Sequence, residues 1–418
     1  MQTLNPLQIL GIKQQPLIPK LILATALCIS ATLLWRPPRR RKTPYEPSPA
    51  KTLSKQAKSN NVIEDLPYPP DALPGARDIE TPYGSIRVYE WGPEAGERVL
   101  FVHGITTPVV ALGDLGHEMV ARGYRVMMFD LFGRGYSDAP NDLTYDTRLF
   151  TTQLLLVLAS SKLPWTVPPG FHLVGYSLGG GLSVAFTRYF PHLVRSLSLI
   201  APCGLIRPHH IGWRSWLYYT SGLLPEVLVK HLVRRRIRPR VKPADLVAAE
   251  AGERVVVEAR VKKVNVKGDG DANGGAGFDS AAISRRRPHV TVASVVAWQV
   301  DRHAGFVMAF LSTIRHAPIY APQGDWQALS ELLETRRAAR NRSGDDDAEI
   351  EAGLERGKIF LVLGRDDGVI VMDEIIEDAH SVLGREGVEV VALEGGHELP
   401  ITSSSSVAAS IERFWKSR

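Results

Sequence analysis

The chain has 418 residues, 44% hydrophobic and 22% charged, enough to bury a sizeable core in one large domain with insertions or in two domains. Its formal charge of +6 is unevenly spread: up to residue 60, ten Lys and Arg stand against one acid, Glu46, a local +9 that leaves −3 for the rest. A near-neutral body argues against a nucleic-acid-binding protein. Two cysteines far apart in sequence, Cys28 and Cys203, supply neither a disulfide framework nor a zinc spacing.

After a short segment, 1–16, comes "LIPKLILATALCISATLLW", Leu17–Trp35, with Lys20 as its only charge. As a helix it measures about 28 Å, close to the roughly 30 Å of a bilayer's hydrocarbon core, and it is expected to be a transmembrane anchor. A cleaved signal peptide is the alternative. Against it, Arg36, Arg39, Arg40, Arg41 and Lys42 follow the run with no clear small-x-small cleavage site. The same cluster puts the body in the cytosol by the positive-inside rule. The endoplasmic reticulum is the expected membrane, with a mitochondrial one as rival because residues 1–45 lack any acid. Residues 36–74, rich in Pro, Ser and Lys, read as a solvated linker.

Residues 75–206 alternate between strand and helix patterns. Strands are predicted at 85–91, 97–104, 124–130, 171–177 and 194–202, and helices at 109–122, 147–161 and 178–190. Short apolar strands alternating with helices imply a mostly parallel α/β sheet covered on both faces. From 207 to 357 the alternation breaks, which predicts an inserted cap, with 267–280 and 341–353 read as weakly ordered. It resumes at 358–418: strands at 358–364 and 388–395, helices around 373–383 and from about Ser405.

"FHLVGYSLGGGLS" holds Ser177 between a strand and a helix, with Gly175 and Gly179 at −2 and +2. A sharp strand–turn–helix exposes such a serine at the N-terminus of a helix, whose dipole favours a developing anion. A serine hydroxyl needs a base, and the base an orienting acid, in the chain order Ser, acid, His. His397 in "LEGGHELP" follows the last strand pattern, whereas His380 lies inside a helical stretch. The acid should end the preceding strand, where "FLVLGRDDGVI" offers both Asp366 and Asp367. Two N–H donors would hold an oxyanion: Leu178, next to the nucleophile, and Ile105 in the "LFVHGITT" loop. His103 in that loop reads as a buried histidine bracing it, not as a base.

"VHGITT", "FDLFGRGYSDAP", "GYSLGG", "LGRDDGVI" and "GGHELP", in this order and spacing, resemble the α/β-hydrolase superfamily. The similarity is to its capped serine hydrolases, which include monoacylglycerol-lipase-like and cofactor-free haloperoxidase-like proteins. It covers about 80–206 and 358–418. The family's acid stands three residues after the strand-end glycine, which selects Asp367 after Gly364. The resemblance also implies that Asp130, Arg134 and Ser137 form a structural corner, and that no cofactor or metal takes part.

Serine in place of the aspartate found in related dehalogenases and epoxide hydrolases points to acyl transfer to water. The expected function is therefore a membrane-anchored serine hydrolase cleaving an apolar, lipid-like carboxylic ester. A thioesterase or acyltransferase, or a haloperoxidase-like enzyme, is the alternative, and a non-catalytic membrane scaffold is a further one. The basic run "KHLVRRRIRPRVK", 230–242, is read as a cap surface near anionic lipid. The tripeptide Asn341–Arg342–Ser343 is a glycosylation acceptor, expected to stay unmodified on a cytosolic body.

Overall fold

The sheet forms where apolar runs are too continuous for a surface strand. The computed structural model describes residues 43–56, 66–219, 222–239, 275–321, 324–342 and 352–417. All of these except Thr43 belong to one compact unit, Pro44–Arg418. The expected transmembrane span Leu17–Trp35 lies outside the described residues. Among the described residues no helix is long and apolar enough to cross a membrane.

In chain order, the first half comprises β1 (Tyr45–Glu46), α1 (Pro49–Gln56), β2 (Ala76–Thr81), β3 (Gly84–Trp91), β4 (Arg98–Val102) and α2 (Gly113–Ala121). It continues with β5 (Arg125–Phe129), β6 (Ala139–Pro140), α3 (Thr147–Ala159), β7 (Phe171–Tyr176), α4 (Leu178–Tyr189) and β8 (Val194–Ile200). The inserted region holds α5 (Trp213–Tyr219), α6 (Glu226–Ile237), α7 (Gly275–Ser280), α8 (Val292–Arg302) and α9 (Phe306–His316). Then come α10 (Gly324–Arg342), β9 (Ile359–Gly364), α11 (Met372–Leu383), β10 (Val388–Leu393), α12 (Leu399–Thr402) and α13 (Ser404–Lys416).

Eight strands make one sheet in the order β10-β9-β8-β7-β4-β5-β3-β2. β2–β3 and β3–β5 pair antiparallel, and every other pair is parallel. All six residues of β7 and of β9 are buried. A strand covered on both faces has no polar side to alternate with, which is why both read as unbroken apolar runs. The flanking helices show the opposite pattern. α11 buries Ile375, Ala379 and Leu383, and α13 buries Val407, Ala408, Ile411 and Phe414, each set spaced to form one stripe. Asp146 caps α3 by accepting from the Arg148 and Leu149 N–H groups, worth about 1 kcal/mol.

The structure departs from the sequence reading in four places. Part of the segment read as a solvated linker is packed on the core. Tyr45–Glu46 pairs with Ala139–Pro140, and Ser48 N–H and the Lys51 ammonium both bind the Asp138 carboxylate. Tyr68 is fully buried and donates to Asp130. The strand β2 was not predicted: its sequence ARDIET lies at the sheet edge, half-exposed, so it lacks an apolar run. Residues 275–280, read as weakly ordered, form α7, whose Phe278 is buried. Finally, α10 packs against α4 and α11 and buries Trp326, Leu329 and Leu333. It is the helix leading into β9, so the insertion expected at 207–357 ends before Gly324.

Candidate active site

Ser177 stands between β7 and α4 with φ 53° and ψ −119°, a region that side-chain-bearing residues rarely occupy and that costs on the order of 1–3 kcal/mol. The surroundings enforce it. Ser177 N–H donates to Ile200 O (3.0 Å), while Ser177 O accepts from Gly180 N–H and Cys203 N–H (2.9 Å each). A Cβ at Gly179 would overlap the Val102 carbonyl oxygen, and one at Gly175 would strike the Gly179 carbonyl and Ser183 Oγ. Both glycines are demanded by close approach of backbone to backbone, so the Gly-x-Ser-x-Gly spacing is a packing requirement.

The structure brings together the three side chains singled out from sequence. His397 Nε2 lies 3.1 Å from Ser177 Oγ, and His397 Nδ1 lies 2.9 Å from Asp367 Oδ2. The other Asp367 oxygen accepts from Val369 N–H (2.8 Å) and Ile370 N–H (2.9 Å). A carboxylate can only accept, so Nδ1 carries the hydrogen and the Nε2 lone pair faces the hydroxyl. Such a chain can take a proton from Oγ onto His397 while Asp367 holds the imidazole. All three residues are buried, whereas Asp366 is exposed.

The Gly104–Thr107 loop lies against the serine: a Cβ at Gly104 would sit 3.3 Å from Ser177 Cβ. Ile105 and Leu178 line the same cavity as Ser177. Leu178 opens α4, whose first N–H groups have no partner within the helix. His103 braces this loop as its sequence context suggests. Its Nδ1–H donates to Gly104 O (2.8 Å) and its Nε2 accepts from Leu131 N–H (2.9 Å). Full burial lowers its pKa to about 3, keeping it neutral.

Gln299 and Thr313 escaped the sequence reading, whereas Asp130 and Arg134 were expected there as part of a structural corner. The Arg134 guanidinium, fully buried, donates to Ile105 O (3.2 Å) and to Thr313 Oγ1 (2.9 Å) on α9. Gln299 on α8 donates to Thr106 O (2.8 Å) and accepts from Gly135 N–H (2.8 Å). Two inserted helices thus fix the loop beside Ser177. The Asp130 carboxylate accepts from Val109 N–H, Tyr136 N–H and the Tyr68 hydroxyl. Burial raises it to about 6. Cys203 lines the cavity, and burial pushes its thiol up to about 12, so it stays protonated. Only the "GRGYSD" signal hinted at any of these.

The cavity, counted together with the solvent at its open mouth, holds about 840 Å³ of empty space. Its walls include Ile206, Phe278, Ile314, Ile319, Val369 and Val371, with Ser177 and His397 on the same lining. The Phe278 ring stands 5.7 Å from the His397 imidazole, centroid to centroid.

Known proteins share this framework. The family model described as alpha/beta hydrolase fold matches residues 97–229. A 2-hydroxy-6-oxo-2,4-heptadienoate hydrolase of Pseudomonas putida is 34% identical over 113 residues, 27% of this chain and 39% of that one. Lipase 1 of Psychrobacter immobilis is 31% identical over 122 residues, 29% of this chain and 37% of that one. The chain thus spans about two fifths of the length of these relatives. Among solved structures, a membrane phospholipase A aligns over 94% of this chain and 96% of its own with a TM-score of 0.51 at 18% identity, a likeness of fold. This sheet order, the strained serine at the β7–α4 turn and the family model matched over residues 97–229 support placing the chain in the α/β-hydrolase superfamily.

Proposed function

We propose that the protein is a membrane-anchored serine hydrolase that cleaves a carboxylic ester with an apolar acyl or alcohol part. The observation that carries this reading is the Ser177–His397–Asp367 hydrogen-bond chain opening onto an apolar-walled cavity. Ser177 Oγ attacks the ester carbonyl carbon as His397 Nε2 takes its proton. The tetrahedral oxyanion receives the Ile105 and Leu178 N–H groups. Collapse expels the alcohol, which leaves with the proton from His397, and Ser177 holds the acyl group. Water then attacks the acyl carbon with His397 as base, releasing the acid and restoring the serine.

A lipid-like substrate is supported by the apolar walls and by the inserted region. Leu223, Val227 and Leu228 are exposed beside the basic residues of α6, a mixture suited to an anionic bilayer surface. Part of that basic charge is paired within the protein, since Arg234 and Arg238 both reach Asp301; residues 240–242 lie outside the described residues. The apolar run Leu17–Trp35 would hold the body at the membrane, on the cytosolic side.

The test is covalent labelling with a fluorophosphonate. The full chain is expected to label, and Ser177→Ala to lose the label with its esterase activity. Labelling that survives Ser177→Ala, or a wild-type protein inert to the probe and to activated esters, overturns the reading.

A further inference from the structure

Cysteine spacing offered no metal site, yet the fold brings two histidines and a glutamate together. β8 ends at Ile200, and the chain then enters the inserted region through a short turn, Pro208–His210. That turn packs on the first turn of α11, where Glu374 projects. His210 Nε2 is 2.7 Å from Glu374 Oε2, and His209 Nε2 is 3.7 Å from Glu374 Oε1. Each carboxylate oxygen therefore faces one imidazole nitrogen, and all three ligand atoms lie within 4.8 Å of one another.

We infer that His209, His210 and Glu374 form a zinc-binding site that clasps the entry turn of the inserted region to α11. Two imidazoles and one carboxylate are the donor set of three-ligand zinc sites, which leave a fourth position for water. Hard cations such as calcium or magnesium prefer all-oxygen shells. Tetrahedral zinc at about 2.1 Å from each ligand separates ligand atoms by about 3.4 Å, and one ligand atom from each of the three residues already lies within 4.8 Å of the other two. The His209 side chain is 63% exposed, so it can turn to close the set and leave the fourth position to solvent.

The local charge favours a dication. Arg207 pairs with Asp378 (2.9 Å) and Glu377 (2.6 Å) and stands 4.0 Å from Glu374. One guanidinium therefore serves three carboxylates, and the surplus is about two negative charges. Arg207 also holds the helix that presents Glu374, in the manner of the outer partners that orient metal ligands.

The experiment uses the full chain in detergent, stripped with a chelator and dialysed against zinc, with bound metal measured directly. Wild type is expected to bind one saturable equivalent and to melt at a higher temperature with zinc present. His209→Ala and Glu374→Gln are each expected to raise the dissociation constant about tenfold or more and to abolish the zinc-dependent melting shift, with folding intact. The inference fails if wild type takes up no saturable zinc, or if either variant binds it with wild-type affinity.

Discussion

The Tyr176 hydroxyl donates to the carbonyl oxygen of His397 across 2.7 Å, so the residue preceding Ser177 ties down the loop that carries its partner imidazole. Tyr176→Phe removes only that hydroxyl. Losing one buried hydrogen bond should lower stability by about 1 kcal/mol. Loosening a group that must sit within a fraction of an ångström should lower kcat roughly ten- to a hundredfold. Ester turnover and thermal melting of the same preparation check both, and an unchanged kcat would show that the loop is held without this bond.

Asp366 and Asp367 are adjacent carboxylates with different surroundings. Asp367→Asn should reduce kcat by about 10⁴-fold, because an amide offers Nδ1 no reliable acceptor and frees the imidazole to take the wrong tautomer. Asp366→Asn, at an exposed side chain, should keep near-normal turnover. The opposite pattern in steady-state kinetics would move the acid to Asp366.

The positive φ of Ser177 separates strain from chemistry. Ser177→Ala and Ser177→Gly should both be inactive, but they should differ in stability. Glycine relieves backbone strain of about 1–3 kcal/mol and gives back about 0.5–1 kcal/mol through the entropy of the unfolded chain. Ser177→Gly should therefore melt higher than Ser177→Ala. Equal melting temperatures would mean that the turn is not strained.

His303, fully buried, donates from Nε2 to Ser137 O (2.9 Å) and accepts at Nδ1 from Gly305 N–H (3.2 Å). Protonation would remove that acceptor, and burial lowers its pKa to about 4. A histidine depressed in the folded state adds stability that is present above its ordinary value near 6.5 and is lost as pH falls toward 4. The difference is on the order of 3 kcal/mol, from about 6.5 to about 4. Melting temperature should drop across that window, and less steeply in His303→Gln. Identical slopes would assign the acid sensitivity to other groups, such as His103, which is depressed in the same direction.

Asn341 is exposed at the end of α10 and reports on which side of a membrane the body lies. A cytosolic body leaves it without a glycan, and the protein should sediment with membranes through Leu17–Trp35. A glycosidase-sensitive mass shift that disappears in Asn341→Gln would reverse the orientation. Recovery of the full chain in the soluble fraction would remove the anchor.

The sequence by itself determined the elements of the sheet core. β7 and β9 are legible because burial on both faces leaves a continuous apolar run. Ser177 is legible because its turn leaves no room for a Cβ at Gly175 or Gly179, and His397 because it follows the last strand on a glycine-rich loop. Local pattern could not separate Asp366 from Asp367. The tertiary turn decides that, aiming one carboxylate at His397 and satisfying it with the Val369 and Ile370 N–H groups.

Distant contacts that no motif marks stayed hidden. Tyr68 reads as linker, and only the fold shows it buried against Asp130 and Trp298. β2 carries charge because it is an edge. Gln299 and Thr313 sit in helices with no chemical signature, yet they hold the Thr106 carbonyl and the Arg134 guanidinium. His210 meets Glu374 across 164 positions of sequence. Periodicity and steric demand act between neighbours in the chain and leave a local trace, whereas a hydrogen bond or an ion pair between remote segments needs only compatible atoms at its two ends, and any Gln, Thr or Glu supplies those.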